Sequence, residues 1–302
     1  MSHIIIIGSE GFIGNHLVSY FLAVGYTVSG CDLFEAPQRN GYYYFKVSRL
    51  SPEWEEIFTR QIYDFCINAA GSGNVPYSMH HPVQDFEANT LDTLRMLDVI
   101  RRKNKDCRFV HISSAAVYGN PTQLPVHEAS PTNPVSAYGW HKLMSELVCK
   151  EYQDLFGVSI SVVRPFSVYG GGLKKQLLWD ICCKLQTSDS IQLHGNGLES
   201  RDFIHISDLT KLISVILLSS SFQGGIFNAA SGTETTIQEM AKIFEEQYEG
   251  KKTIHFSKEI RKGDPLNWRA DIRKIQALGF TPIVSLEAGV KQYIHWFQQQ
   301  VV

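Results

Sequence analysis

The 302-residue sequence lacks the features that would direct it to a nucleic acid, a membrane or a repeat architecture. Its formal net charge is only −2, so no electrostatic argument favours nucleic acid or an anionic membrane as a partner. It contains no apolar run of about 18 residues, so we expect no membrane-spanning helix. Internal repeats and low-complexity segments are also missing. What remains is a globular protein, and a hydrophobic content of 44% is ordinary for a chain with a full core.

The six cysteines lack the spacing of a zinc site or a disulfide framework. No two of them form a C-x-x-C motif, and most lie in patterns typical of strands or helices. We therefore predict reduced core residues of a cytoplasmic protein, and no metal site. The apolar N-terminal stretch is too short for the hydrophobic region of a signal peptide and is interpreted as a first strand. The cysteines are Cys31, Cys66, Cys107, Cys149, Cys182 and Cys183.

What the sequence does have is a glycine-rich turn after the apolar strand at residues 4–7. Gly8, Gly11 and Gly14 lie three apart, and a helix is predicted at about 12–24. Such glycines let the backbone approach a pyrophosphate, and the helix N-terminus offers free N–H groups to the phosphates. The alternative is a tight turn that binds no ligand.

The end of the next predicted strand favours the ligand-binding interpretation. Asp32 follows Gly14 by about 18 residues, where an acidic side chain binds the ribose hydroxyls of a dinucleotide. We therefore predict NAD as the cofactor, since Asp32 would repel the 2′-phosphate of NADP. Arg39 lies close enough in sequence to weaken that preference. After the strand at 63–67, the small residues Ala69, Ala70 and Gly71 would let a flat ligand lie against the strand tip.

Strands and helices alternate six times up to about residue 165, which predicts an α/β fold with a Rossmann-type, doubly wound parallel sheet. We assign residues 1–165 to a dinucleotide-binding domain and residues 166–302 mainly to a smaller C-terminal α/β lobe that binds substrate. Strands near 226–228 and 253–256 are predicted for this lobe, and Ser207 and Asp208 as the N-cap of a helix. Residues 72–82 and 164–172 are predicted as loops. The ligand belongs at the carboxyl ends of the strands, where the sequence places Gly14, Asp32, Gly71, Ser114 and Arg164.

A serine, a tyrosine and a lysine form the candidate catalytic set. Ser114 follows the strand at 108–112, and Tyr138 and Lys142 lie four apart on one face of a helix predicted to end near residue 156. An ammonium beside a phenol lowers its pKa, so Tyr138 could take a proton from an alcohol that loses hydride. Ser114 could hold the same oxygen. Alone, a Y-x-x-x-K pattern more often marks an ordinary amphipathic helix.

Three cations in the C-terminal half are candidates for binding a diphosphate, because guanidinium and ammonium groups match phosphate oxygens. They are Lys174, Arg201 and Arg261. The alternative is that each is a solvated surface charge.

The glycine turn, the segment S-S-A-A-V-Y-G at 113–119 and the Y-x-x-x-K pair together resemble the extended short-chain dehydrogenase/reductase family, and within it the nucleotide-sugar epimerases and dehydratases of the UDP-glucose 4-epimerase type. The segments R-D-F-I-H at 201–205 and R-K-G-D-P at 261–265 resemble the family's diphosphate-binding pieces. The resemblance implies a tightly held NAD, a nucleoside-diphosphate sugar substrate, a role in polysaccharide biosynthesis, and a homodimer formed through the helices near 87–103 and 138–156. It implies Ser114, Tyr138 and Lys142 as catalytic residues. It implies cofactor binding by Gly8, Gly11, Phe12, Ile13, Gly14, Asp32, Ala69, Ala70, Gly71, Asn89, Tyr138 and Lys142, and substrate binding by Ser114, Ser167, Arg201 and Arg261.

Departures from the family pattern exclude some of the reactions that members of this family catalyse. Sugar 4,6-dehydratases carry Asp-Glu where this chain has Ala115 and Ala116, so dehydration is not expected, and nucleotide-sugar decarboxylases tend to carry glutamate at Ala116. Ser167 stands where many epimerases have asparagine, so the sequence does not identify the sugar of the substrate. We therefore expect C4 epimerisation through a transient 4-keto sugar. The alternatives are an NAD(P)H-dependent reductase of a 4-keto-6-deoxy nucleotide sugar and a non-catalytic NAD-binding protein, which has no reason to keep all three catalytic residues.

Overall fold

A computed structural model describes residues 2–48, 53–258 and 266–300. Twelve strands lie in this part of the chain: β1 (His3–Ile7), β2 (Thr27–Asp32), β3 (Tyr42–Lys46), β4 (Phe65–Asn68), β5 (Arg108–Ile112), β6 (Ile160–Pro165), β7 (Ser167–Tyr169), β8 (Ser190–Leu193), β9 (Ser200–His205), β10 (Gln223–Ala229), β11 (Glu234–Thr236) and β12 (Thr253–Phe256).

The same residues contain eleven α-helices: α1 (Phe12–Ala23), α2 (Trp54–Arg60), α3 (Val75–His80), α4 (Pro82–Phe86), α5 (Asp92–Lys103), α6 (Ala137–Phe156), α7 (Gln176–Thr187), α8 (Ile206–Ser219), α9 (Ile237–Gln247), α10 (Arg273–Ala277) and α11 (Leu286–Gln299). A π-helical turn (Glu87–Leu91) joins α4 to α5, and a 3₁₀ turn (Ala115–Tyr118) follows β5.

The central layer is a seven-stranded sheet in the order β10-β6-β5-β4-β1-β2-β3, and every neighbouring pair is parallel. This arrangement confirms the predicted Rossmann-type, doubly wound sheet. Strand β1 is buried along its whole length, as its continuous apolar run predicts for a strand covered on both faces. Its alternate residues separate the two core layers. Ile4 and Ile6 pack with α1 and α8, whereas Ile5 and Ile7 pack with α2, α5 and α6.

The smaller lobe contains two short sheets. One has the order β11-β9-β7, and the other is the parallel pair β12-β8. A third apolar cluster holds these sheets against α7, α9 and α11. The predicted strand near 226–228 is not part of this lobe, and its expected placement is wrong. It is β10, which pairs with β6 at the edge of the large sheet, while the preceding helix α8 packs beside α1. An apolar run predicts a buried strand but does not say which sheet edge it joins. The division at residue 165 stays a prediction.

Three local predictions are corrected. The predicted loop at 72–82 contains α3, because the Asn74 side chain accepts a hydrogen bond from the Tyr77 amide at 3.0 Å and a proline lies in the first turn. The predicted loop at 164–172 contains β7, which pairs with β9. The N-cap of α8 is His205, whose side chain accepts from the Ser207 amide, not Ser207 or Asp208. Such short elements carry little periodicity, so tertiary contacts decide them.

Within the described residues, no helix combines the length and the apolar character needed to cross a membrane. All six cysteines are free thiols, and five of them are buried. The same residues contain no group of histidine, cysteine and acidic side chains that could hold a metal ion.

Candidate active site

The glycine-rich turn between β1 and α1 is closely packed backbone. Gly8 has a φ of +77°, and a Cβ there would lie 2.7 Å from the Ala70 backbone. A Cβ at Gly14 would lie 2.0 Å from the Gly8 carbonyl oxygen. Gly11 is the N-cap of α1 and offers no side-chain cap, and Phe12 and Ile13 form the first turn of that helix. The turn therefore leaves the first N–H groups of α1 available to an anion at the carboxyl edge of the sheet.

Asp32 ends β2 beside this turn. Its two carboxylate oxygens accept hydrogen bonds from the backbone amides of Glu10, at 2.9 Å, and Leu33, at 2.6 Å. These bonds fix the orientation of the Asp32 carboxylate next to the glycine turn. The structure thus joins the two features that the sequence placed about 18 residues apart.

A third part of the site lies at the tip of β4, after Ala69 and Ala70. Gly71 has a φ of +113°, and a Cβ there would lie 2.3 Å from the Asn89 Oδ1 atom and 3.4 Å from the Lys142 Nζ atom. Asn89 lies in the π-helical turn, a geometry often found at functional sites. Its side chain is buried and donates to the Asp85 carbonyl oxygen at 3.0 Å, whereas its Oδ1 atom has no hydrogen-bond partner. That oxygen is an acceptor available to a ligand donor.

Tyr138 and Ser114 are brought together at the next strand tip. Burial raises the pKa of Tyr138 to about 12, and a hydrogen bond with Ser114 acts in the opposite direction. Ser114 also caps the 3₁₀ turn, where its Oγ atom accepts from the Ala116 amide at 3.1 Å. The expected net lowering of the Tyr138 pKa is wrong for this structure, because removal of the phenol from water outweighs the interactions that favour a phenolate.

Lys142 itself is strongly affected by burial. Its side chain is 4% exposed and donates to the Ile112 carbonyl oxygen at 3.0 Å. Burial lowers the pKa of Lys142 to about 8, while the carboxylate of Asp85 acts to raise it. The ammonium is therefore held at the end of β5 by a main-chain carbonyl, with a proton that is labile a little above neutral pH.

A buried ion pair supports the strand tips that carry these residues. The Arg164 guanidinium, at the end of β6, donates to both carboxylate oxygens of Glu146 on α6, at 3.0 and 2.6 Å. Glu146 also accepts from the Ser113 hydroxyl, and Arg164 donates to the Tyr118 hydroxyl at 2.8 Å. The pair thus ties the residue before Ser114 to the helix that carries Tyr138 and Lys142.

The candidate substrate residues of the C-terminal half lie on neighbouring strands. Ser167 begins β7 and stands opposite Phe203 of β9, the strand that carries Arg201. The Arg201 guanidinium donates to the Ser200 carbonyl oxygen at 2.8 Å, and its Cζ atom lies 5.8 Å from the centre of the Trp268 ring. Lys174 is exposed. Arg261 and the turn predicted at 262–265 lie outside the described residues.

Sequence reasoning missed the neighbour of Lys174. The Lys175 Nζ atom lies 3.5 Å from the Gly73 carbonyl oxygen, and a Cβ at Gly73 would be 4.0 Å from the Tyr138 hydroxyl. Much of Lys175 is exposed, yet partial desolvation of its ammonium lowers the pKa. The adjacent lysines Lys174 and Lys175 offer no basis in the sequence for preferring one of them. The start of α7 at Gln176 determines that Lys175 faces the site.

The fold and this site define an α/β dinucleotide-binding protein, and comparison with known proteins specifies it further. Residues 4–230 match the profile of the NAD dependent epimerase/dehydratase family. Since this match covers well over half of the chain, the protein belongs to that family, and the predictions of an NAD-dependent enzyme and of an epimerase-type extended short-chain dehydrogenase/reductase are confirmed.

Three individual matches illustrate the range of relatives. A putative UDP-glucose 4-epimerase of Methanocaldococcus jannaschii is 27% identical, with 98% of each chain covered. A GDP-6-deoxy-D-mannose reductase of Pseudomonas aeruginosa is 30% identical over 78% of this chain and 77% of its own. The structure of a UDP-glucuronic acid 4-epimerase from Bacillus cereus, in complex with UDP-glucuronic acid and NAD, superposes with a TM-score of 0.90 at 24% identity, covering 99% of both chains. That likeness supports the fold.

The described residues fit NAD. The glycine turn is a cradle that side chains at Gly8 and Gly14 would fill, and the Asn89 oxygen is a buried acceptor without a partner. Asp32 stands where a ribose hydroxyl is bound in such folds. These groups belong to three separate strand tips, β1, β2 and β4, that meet at the carboxyl edge of the sheet.

Proposed function

We propose that this protein epimerises a nucleoside-diphosphate sugar at C4, through a transient 4-keto sugar and with retained NAD. The observation that carries the proposal is the placement of half-buried Ser114 and Tyr138 at the edge of the sheet that would bind NAD, where the Lys142 Nζ atom lies beside Gly71 and the Tyr138 hydroxyl beside Gly73. The two alanines after Ser114 support it, because they offer no carboxyl group for dehydration. The relatives named as 4-epimerases support it as well.

In this proposal Ser114 and Tyr138 share the C4 hydroxyl of the sugar. Because burial raises the pKa of Tyr138 to about 12, we expect its phenolate to form at neutral pH only when substrate and cofactor are bound. The Lys142 ammonium near the same edge stabilises that phenolate, which then takes the C4 proton. Bound NAD supplies the hydride acceptor and, while oxidised, a positive charge that favours the phenolate. Ser114 keeps the sugar oxygen in line with the Tyr138 hydroxyl in both directions of the reaction.

The lobe formed by β7, β9 and β11 is proposed to hold the diphosphate. Arg201 would bind its oxygens, with Ser167 on the neighbouring strand and Arg261 as further contacts. Exposed Lys174 is a weaker candidate than Lys175, whose position next to Gly73 and Tyr138 brings an ammonium to the sugar end of the site.

The second candidate function is reduction of a 4-keto-6-deoxy nucleotide sugar, which the 30% identity to a GDP-6-deoxy-D-mannose reductase favours. The same side chains serve both reactions, but the proton flows outward in the reductase. The difference lies in the cofactor, which an epimerase recycles and a reductase consumes.

The test begins with protein purified without added cofactor, which is denatured so that any released dinucleotide can be identified and counted. Near-stoichiometric NAD, together with conversion of a UDP- or GDP-sugar to its 4-epimer without added NAD(P)H, supports the epimerase. An empty protein that oxidises NADH or NADPH only when a 4-keto-6-deoxy sugar nucleotide is present contradicts it and supports the reductase. A protein that does neither contradicts both.

We also propose that the protein is a cytoplasmic homodimer that serves polysaccharide biosynthesis. Exposed apolar side chains on α6, one of the two helices expected to form the interface, and on α4, which precedes the other, support the dimer, because each set is spaced for one helical face. The exposed set comprises Val83, Phe86, Trp140, Met144 and Leu147. Light scattering should report a dimer that Leu147→Glu converts to monomer. The matched variant Leu218→Glu, at an exposed leucine of α8, should leave the mass unchanged, and a monomeric wild type would refute the dimer.

A further inference from the structure

A second carboxylate stands beside Asp32 in the glycine-rich turn. Glu10 lies between Gly8 and Gly11, and its side chain is only 8% exposed. Its backbone amide donates to Asp32 Oδ2 at 2.9 Å, which places the two acids side by side at the tips of β1 and β2. The other residues of this turn, Gly8, Ser9 and Gly11, are small, so a nearly buried carboxylate is unusual here and suggests a functional role for Glu10.

The Glu10 carboxylate is held by two donors from the segment after β2. Its Oε2 atom lies 3.3 Å from Arg39 Nη2, and its Oε1 atom accepts from the Tyr42 hydroxyl at 2.9 Å. Gly30 makes room for that hydroxyl, since a Cβ there would lie 1.9 Å from it. Burial raises the pKa of Tyr42, so its hydroxyl keeps the proton that it donates.

Arg39 pairs with Glu10 through one nitrogen of its guanidinium, and a second nitrogen has no hydrogen-bond partner. Its Nη1 atom is buried and has no hydrogen-bond partner, and its Cζ atom lies 5.4 Å from the centre of the Tyr42 ring. A guanidinium beside the ribose-binding acid is the kind of group that binds the 2′-phosphate of NADP. Here its charge is engaged by Glu10.

The other charges of this corner do not reverse the balance. Lys46 stands opposite Asp32 in the strand register, but its ammonium is paired with Glu35. Glu10, Asp32 and Glu35 thus face Arg39 and Lys46, which leaves an excess of one negative charge where a dianionic 2′-phosphate would have to be bound.

We propose that Glu10 is a second specificity-determining residue for the cofactor, which engages Arg39 in an ion pair and so makes the site select NAD(H) over NADP(H). Asp32 alone is the selectivity element that the sequence pattern indicates. In this proposal Arg39 could bind a 2′-phosphate, and its ion pair with Glu10 prevents it from doing so. The inference does not depend on which sugar is converted.

The test measures which dinucleotide the protein retains. Wild type and Glu10→Gln are incubated with equal concentrations of NADH and NADPH until exchange is complete, separated from free dinucleotide and denatured, and the two released species are counted. Glutamine keeps an acceptor for Tyr42 and removes only the charge. We expect the ratio of bound NADH to NADPH to fall about tenfold, since the released guanidinium can bind the 2′-phosphate; tenfold corresponds to about 1.4 kcal/mol.

Two further variants locate the cause. In Glu10→Gln/Arg39→Gln the gain in NADPH binding should disappear, because the released guanidinium is its source. Glu35→Gln also removes one negative charge near Asp32, but it frees Lys46 and not Arg39. No comparable gain in NADPH binding is expected from that variant. An equal gain in Glu35→Gln would show that net charge sets the preference, and a gain that survives in the double variant would show that Arg39 is not its source. Either result would overturn the proposal. If Glu10→Gln does not fold, Glu10→Ala, which places a small residue in the turn and also removes the charge, is measured in its place. A ratio that stays at the wild-type value in that variant would contradict the proposal.

Discussion

The large sheet with its helices and the smaller lobe hold their candidate site cations in different ways. In the large sheet, Lys142 and Arg164 are almost fully buried, and each is fixed by a carbonyl oxygen or a carboxylate of a neighbouring strand or helix. In the smaller lobe, Arg201 is half-buried on a short strand and bonds to the main chain. The first arrangement suits groups that must keep one geometry during chemistry, and the second suits groups that adapt to a bound substrate. This comparison makes four predictions.

The largest effect is expected for the catalytic tyrosine of the large sheet. Tyr138→Phe should reduce turnover about 10²- to 10⁴-fold, because the variant can neither take nor return the proton. Turnover of the sugar nucleotide is measured together with the melting temperature, which should change little. Tyr20→Phe, in the C-terminal half of α1 and outside the residues assigned to the site, is the control and should keep wild-type turnover. Full turnover in Tyr138→Phe would remove this residue from the mechanism.

The next effect is on stability. Arg164→Met should lower the free energy of unfolding by about 3–5 kcal/mol, since it leaves Glu146 buried without a cation. Urea unfolding measures the change. Lys150→Met, which breaks an exposed pair with Asp154 on the same helix, should cost less than about 1 kcal/mol. The double variant Arg164→Met/Glu146→Leu should recover part of the loss, and equal effects of the two single variants would deny the special role of the buried pair.

A third prediction concerns the pH dependence that Lys142 confers. Its pKa is about 8 in the fold against an ordinary value of 10.5 for lysine, so between these pH values the unfolded chain binds more protons, and stability rises with pH. Lys142→Met should remove that rise, which amounts to about 3 kcal/mol across the window. Urea unfolding of both proteins from about pH 7 to about pH 10.5 measures the difference. Parallel curves would mean that the Lys142 ammonium is not destabilised by burial.

The smallest effect is expected in the lobe. Arg201→Gln should raise KM roughly 10- to 100-fold, since a hydrogen bond to a charged group is worth about 1.5–3 kcal/mol, while kcat stays near wild type. Lys242→Gln, an exposed cation on α9, serves as the control and should leave KM unchanged. A lower melting temperature with unchanged KM would instead identify Arg201 as a support for Trp268.

The sequence predicted the parts of the site that consist of short, local patterns. The glycine turn, Asp32, and the pair Tyr138 and Lys142 each follow from residue spacing within one strand-turn-helix unit, and the structure places them at one edge of the sheet. The family resemblance assigned Asn89 to the cofactor site, but the sequence could not predict that its unpartnered oxygen lies beside Gly71, or that Glu10 pairs with Arg39. These contacts join segments that meet only when β1, β2 and β4 pair. The sequence predicts a lowered pKa for Tyr138, whereas burial raises it in the structure. Burial is a property of the packed molecule, and residue spacing carries no information about it.

The class of fold follows from the amino-acid sequence, since buried parallel strands must be continuous apolar runs and the crossover helices must alternate with them. The family follows as well, through motifs whose spacing the phosphate-binding turn and the helical repeat impose. Three features became known only from the folded chain: β10 completes the large sheet, Arg164 and Glu146 pair beneath Ser114, and Glu10 engages Arg39. These contacts join residues far apart in the chain, and their energies depend on distance and on exclusion of water, which exist only after the chain has folded.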